Sequence, residues 1–189
     1  MIAFSALFCS CEPSDAKVKT IIVQPLGNVD TKLISAVFKS IKEVNPSTIL
    51  KPAINIPLSS YYAPRKRYRA DIILDYLDNR YQNDTITIGL TSRDISTTKN
   101  GVYDWGVMGL GFCPGNVCVA STFRLSKKNL KEQFYKVAIH ELGHTQGLPH
   151  CEDKSCFMRD AEGGNPLNEE HGFCEVCKLF LKSKGWELN

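Results

Sequence analysis

No stretch of this 189-residue chain reaches the ~20 consecutive apolar residues that a membrane-crossing helix needs. No fixed repeat period runs through it, which sets aside solenoids and propellers. Neither sign of charge is in large excess. The formal net charge of +3 is too small to argue for nucleic acid or an acidic lipid surface as partner. Histidine is sparse, with four in the chain, and three of those lie between His140 and His150. What is present is ordinary for a globular protein: 43% hydrophobic and 23% charged residues, in a length that suits one domain or one domain in two lobes. Cysteine is the exception, at eight residues. They fall into Cys9 and Cys11, Cys113 and Cys118, and a downstream group of Cys151, Cys156, Cys174 and Cys177. That clustering suggests metal binding.

The stretch from His140 to His150 reads H-E-x-x-H-x-x-G-x-x-H. On a helix, residues four apart share a face, so His140 and His144 aim two imidazoles at one point. Gly147 has no Cβ and lets the chain turn sharply, which brings His150 round as a third ligand. Three protein ligands leave one position of a zinc ion open to water, the arrangement of a catalytic site. Glu141 faces the same cavity without being needed as a ligand, which suits a general base for a zinc-activated water.

Cys151, Cys156, Cys174 and Cys177 form a second constellation. Four thiolates at these offsets can close a tetrahedral zinc site with no open position. Two disulfides are the rival, and gain weight if the protein is exported. Cys113 and Cys118 flank Pro114-Gly115-Asn116, which is turn chemistry, and in an exported protein a disulfide across that turn is the simplest expectation.

In chain order, residues 20–26 read as a buried strand, Asp30 as the cap of a helix carrying Leu33, Ile34, Val37, Phe38, Ile41 and Val44, and Thr48 to Leu58 as an irregular strand broken by Pro52 and Pro57. The basic run Arg65, Lys66, Arg67 and Arg69 reads as a solvated helix start, followed by an amphipathic helix with Ile73, Leu74 and Leu77. A half-buried strand around Ile86 to Leu90, a glycine-rich strand from Val107 to Phe112 and a strand from Val117 to Phe123 follow. Asn129 is the expected cap of the active helix, with Glu132 completing a capping box. A last helix begins near Phe173 with Val176, Cys177 and Phe180 inward. Ahead of all this, the apolar run from Ile2 to Phe8 ends at Cys9-Ser10-Cys11, like the junction of a bacterial lipoprotein signal with Cys11 as the lipidated residue. No basic segment precedes it, and a frayed terminus is the alternative.

The run from His140 through Cys151, Cys156, Phe157, Met158, Cys174 and Cys177 resembles the archaemetzincins, a family of metzincin-type zinc peptidases. Val102 to Leu125 is similar to the family's strand pair before the active helix. The resemblance implies catalytic zinc on His140, His144 and His150, Glu141 as general base, Met158 as the Met-turn floor beneath the zinc, and a second, structural zinc on Cys151, Cys156, Cys174 and Cys177. It also implies a peptide paired with an edge strand, for which Val107 to Phe112 is the candidate. The loop between Met158 and Cys174 is slightly shorter than is usual in the family, and Cys113 and Cys118 stand as additions. Asp160 occupies the position where some other metzincins carry a further tyrosine ligand, so none is expected here.

The expected architecture is therefore α/β and metzincin-like: a mixed, mostly parallel sheet with packing helices, the active helix, and a small irregular C-terminal lobe stapled by zinc. Residues 1–19 are expected to be leader and tether. Residues 20–189 are expected to form one catalytic domain, in lobes 20–147 and 148–189. The expected function is zinc-dependent peptide hydrolysis by a monomer with two zinc ions, acting on peptide or protein and not on nucleic acid. A zinc-stabilised peptide-binding protein with little turnover is the alternative. The expected location is exported and lipid-anchored, with cytoplasmic as the alternative.

Overall fold

The computed structural model describes residues 18–81 and 84–188; the expected leader with Cys9 and Cys11 lies outside them. The first half alternates strand and helix: β1 (Thr20–Leu26), α1 (Thr31–Val44), β2 (Ile49–Leu50), β3 (Tyr61–Tyr62), β4 (Arg67–Arg69), α2 (Ala70–Asp78) and β5 (Thr85–Thr91). Then come β6 (Ile95–Lys99), β7 (Val102–Val107), β8 (Gly109–Gly111), β9 (Val117–Ser121), the long α3 (Leu130–Gln146) and α4 (Glu175–Ser183). The main sheet has the order β2-β1-β5-β9-β8. Its first four strands are parallel, and β8 closes it antiparallel to β9. The mixed, mostly parallel sheet expected from the sequence is thus present.

Period-two alternation sends side chains to two cores. Ile21, Val23, Ile86, Ile88, Leu90, Cys118 and Ala120 face α1 and α3. Leu26, Val117 and Val119 face α2, whose Ile73, Leu74 and Leu77 are fully buried. Strand β5 is buried on both faces, not half-buried, because helices cover both sides as parallel sheets require. At Gly89 the helix comes so close that an added Cβ would overlap Leu26 and Leu77. Helix α1 begins as its sequence suggests: the Asp30 side chain accepts from the Lys32 N–H at 2.8 Å, a cap worth roughly 1 kcal/mol. Its buried Ile34, Val37 and Ile41 each stabilise by about 1.5–3 kcal/mol.

Several expectations change. Of the strand expected from Thr48 to Leu58 only Ile49–Leu50 pairs, with one further bridge at Ile54, since Pro52 and Pro57 cannot donate to a ladder. The stretch expected as one strand from Val107 to Phe112 is broken at Met108. β7 belongs to a second, four-stranded sheet of order β3-β4-β6-β7, while β8 belongs to the main sheet. The basic run is not a solvated helix start. Arg67 pairs with Asp94 at 2.7 Å and Asp104 at 3.0 Å, and Arg69 is 3% exposed, pairs with Asp71 at 2.6 Å and stacks on Tyr103. These arginines hold the second sheet together. In α4, Cys177 and Leu181 turn inward while Val176 is exposed.

Candidate active site and metal centre

Helix α3 runs to Gln146 and stops at Gly147, whose φ of 102° is the left-handed geometry that glycine tolerates best. The turn that follows carries His150 back toward the helix. The helix is buried nearly all round because α1, the main sheet and the C-terminal segment all pack on it. Its start departs from the expected capping box. The Asn129 side chain makes no cap bond and donates instead to Asn168 Oδ1 at 3.0 Å. Glu132 pairs with Lys136 at 2.6 Å.

The three imidazoles converge. His140, His144 and His150 have ring centroids 4.6, 4.9 and 5.4 Å apart, and one ligand atom from each lies within 4.8 Å of the others. The Nδ1–H of His140 donates to the Phe157 carbonyl at 2.6 Å, and that of His144 to the Leu148 carbonyl at 2.8 Å. The Nδ1 of His150 faces Asp160 Oδ2 at 3.4 Å. With Nδ1 engaged in this way, Nε2 carries the lone pair, the tautomer that ligation requires. Burial and the neighbouring His144 push His140 down to about 3, against the opposing pull of the Phe157 carbonyl. Burial likewise lowers His144. Both rings are therefore neutral near pH 7, and the donor set fits a divalent ion such as zinc.

Glu141 is 6% exposed, and burial pushes its carboxyl up to about 8; an adjacent cation lowers such a value. Its carboxyl packs against the backbone of Gly109, where any Cβ would collide with it, and close to Gly111. The sequence shows the glycines but not their purpose, which is to clear space for this side chain. Met158 is fully buried, with its sulfur against Gly143 of α3, between His140 and His144. A cleft of about 710 Å³ runs over the histidines and Glu141, with Trp105, Leu110 and Arg159 among its walls.

The group of four cysteines also assembles. Cys151, Cys156, Cys174 and Cys177 bring their sulfurs within 4.8 Å of one another, and all four are free thiols, so the disulfide rival is not realised. The Cys156 sulfur accepts from the backbone N–H of Cys174 at 3.3 Å and of Met158 at 3.5 Å. Burial pushes the Cys156 thiol up to about 11 and raises that of Cys177 as well. A cation is what would stabilise thiolates there.

The bond expected between Cys113 and Cys118 is absent, and both are free. Cys118 is buried in the core on β9, opposite Gly111, whereas Cys113 lies in the turn beyond β8 with its Sγ 3.4 Å from the Leu148 carbonyl. His171 is exposed and joins neither cluster.

The sequence model described as Peptidase family M54 matches residues 18–183. The chain belongs to this family. Among similar M54 proteins, the archaemetzincin of Nanoarchaeum equitans is 30% identical over 165 residues, covering 87% of this chain and 91% of its own. That of Archaeoglobus fulgidus is 30% identical over 167 residues, covering 86% and 98%. The solved A. fulgidus archaemetzincin, complexed with malonate, matches with a TM-score of 0.72 at 28% identity over 85% of this chain and 99% of its own. The Methanopyrus kandleri archaemetzincin matches in fold with a TM-score of 0.74 at 24% identity, over 88% and 96%. As an M54 member the chain is a zinc metallopeptidase, and peptides are its substrates.

The expected exported, membrane-anchored lipoprotein is overturned. The relatives are archaeal archaemetzincins matched over nearly their whole length.

Proposed function

We propose that His140, His144 and His150 hold the catalytic zinc, with Glu141 as general base, and that Cys151, Cys156, Cys174 and Cys177 hold a second, structural zinc. The observation that carries this reading is the convergence of three imidazoles whose Nδ1 atoms are already engaged. Zinc held there supplies a Lewis acid that polarises the scissile carbonyl and acidifies a water toward pKa ~7. The chain's own residues do the rest. Glu141, in its slot beneath Gly109, takes the water proton on a carboxylate oxygen and returns it to the leaving amine. Asp160 and the Phe157 and Leu148 carbonyls fix the rings, as outer partners of metal ligands do. Met158 supports the helix backbone under them. An extended peptide lies along β8, the edge of the main sheet. Residues 20–189 act as one catalytic unit, lobe 148–189 being set by the four thiolates.

The test joins elemental analysis to a peptide-library digest. Two zinc ions per chain are expected. Glu141→Ala should retain both and lose hydrolysis by about 10²–10⁴-fold. Unchanged hydrolysis in that variant would remove Glu141 from the mechanism. Chelator-insensitive binding of peptides without cleavage would favour the binding-protein alternative.

A further inference from the structure

Beyond the histidines the cleft reaches a wall made by the segment after Met158. Val137, one helical turn before His140, and Leu167 give that wall an apolar surface, and Glu170 adds a carboxyl. Glu170 is 2% exposed, and its Oε2 is buried with no hydrogen-bond partner among the described residues. Lys136 and Arg159 favour its charged form through space, but the contacts they make are to other groups. Lys136 Nζ pairs with Glu132 and donates to the carbonyls of Leu167 at 2.8 Å and Glu170 at 2.7 Å. Arg159 pairs with Glu169 at 2.6 Å. Burial pushes the Glu170 carboxyl up to about 7. A buried acid left unpaired lowers stability, and one that lines a substrate cleft is completed by whatever enters.

We infer that Glu170 is a specificity-determining residue that receives the ammonium or guanidinium of a lysine or arginine side chain next to the scissile bond. The inference rests on the peptidase reading of this cleft. Val137 and Leu167 suit the methylene stem of such a side chain, whose charged head reaches the unpaired carboxyl. The cleft also carries Lys99 and Arg124, on or beside the second sheet, and Arg159. Those cations repel a basic side chain and leave Glu170 as its acceptor, since Asp160 already faces His150.

The experiment uses the zinc-loaded full chain and peptides that differ only in lysine, arginine, norleucine or glutamate beside the cut, each with free and acetylated N-termini. Cleavage is read by mass spectrometry. A charge-assisted hydrogen bond corresponds to about a 10–100-fold preference in kcat/KM for lysine or arginine over norleucine. That ratio should fall to about twofold in Glu170→Gln and be partly restored in Glu170→Asp. In parallel, calorimetry of a lysine and a norleucine peptide hydroxamate should give the same preference in affinity, lost in Glu170→Gln. Cleavage without a basic preference, or a ratio equal in wild type and Glu170→Gln, overturns the inference and leaves the peptidase reading intact. A preference that follows the free N-terminus instead of the side chain also overturns it. Preferential binding of the lysine hydroxamate with no cleavage of any peptide supports Glu170 and refutes turnover.

Discussion

The two donor clusters sit next to each other and are built on opposite plans. The histidine site hangs on a long, rigid helix: two ligands come from α3, the third from the turn at Gly147, and each ring is steered by an outside partner. It faces a broad cleft. The cysteine site draws on irregular chain and the first turn of a nine-residue helix; the Cys156 sulfur takes two backbone N–H groups, and the Cys151 and Cys174 sulfurs face each other at 3.7 Å. One site is positioned by the fold. Around the other, residues 151–173 contain only isolated bridges. On the proposed reading, zinc in two neighbouring places would carry chemistry in one and architecture in the other, separated by whether the surrounding chain would hold its shape without the ion.

The largest test of that contrast is to remove one ligand from each. Cys156→Ser should lose one zinc and unfold residues 151–188, seen as loss of hydrogen-exchange protection there and a Tm lower by 10 °C or more, on the order of several kcal/mol. His144→Ala should also lose one zinc, but keep protection throughout and lose hydrolysis. Equal protection in the two variants would erase the distinction. A smaller effect sharpens the catalytic side alone. Gly109→Ala pushes a methyl group into the Glu141 carboxyl and should cut kcat roughly 10²-fold with two zinc ions retained, measured by steady-state kinetics and elemental analysis.

The smallest effect concerns Glu170. Its folded-state pKa of about 7 lies above its ordinary 4.5 because of burial. The folded chain therefore holds this proton where the unfolded chain has lost it. Stability from this group is complete below about pH 4.5 and is lost as pH rises through 7. Glu170→Gln should match wild type at pH 4 and exceed it by about 1–2 kcal/mol at pH 8, read from urea unfolding. A difference that does not grow with pH would contradict the buried, unpaired state of the acid.

Local rules carried much of this structure. The spacing of His140 and His144 was enough to place them on one face, and Gly147 stops the helix where its lack of Cβ suggests. The stripe of α1 and its Asp30 cap read directly. What the sequence hid depends on contacts distant along the chain. The break at Met108 leaves no local mark, since Val107 and Leu110 look like neighbours in one strand until β7 and β8 pair with different sheets. Asn129 has capping chemistry but finds Asn168. Arg67 looks like surface charge until Asp94 and Asp104 arrive from elsewhere, and Arg69 until Tyr103 does. Cys113 and Cys118 look like a pair until β9 turns one of them into the core. Glu170 gave no signal, because a lone glutamate becomes unusual only when the cations around it are found already taken.

His150 and Cys151 are joined by a peptide bond, so the last imidazole is the immediate neighbour of the first thiol. On the proposed two-zinc reading, damage between the two sites would be asymmetric. An oxidant that captured a thiol would disturb the adjoining ring as well, whereas loss of the zinc from the histidines would leave the cysteine site in place. The staple would then be the part to protect, and the working ion the part that can be lost and taken up again.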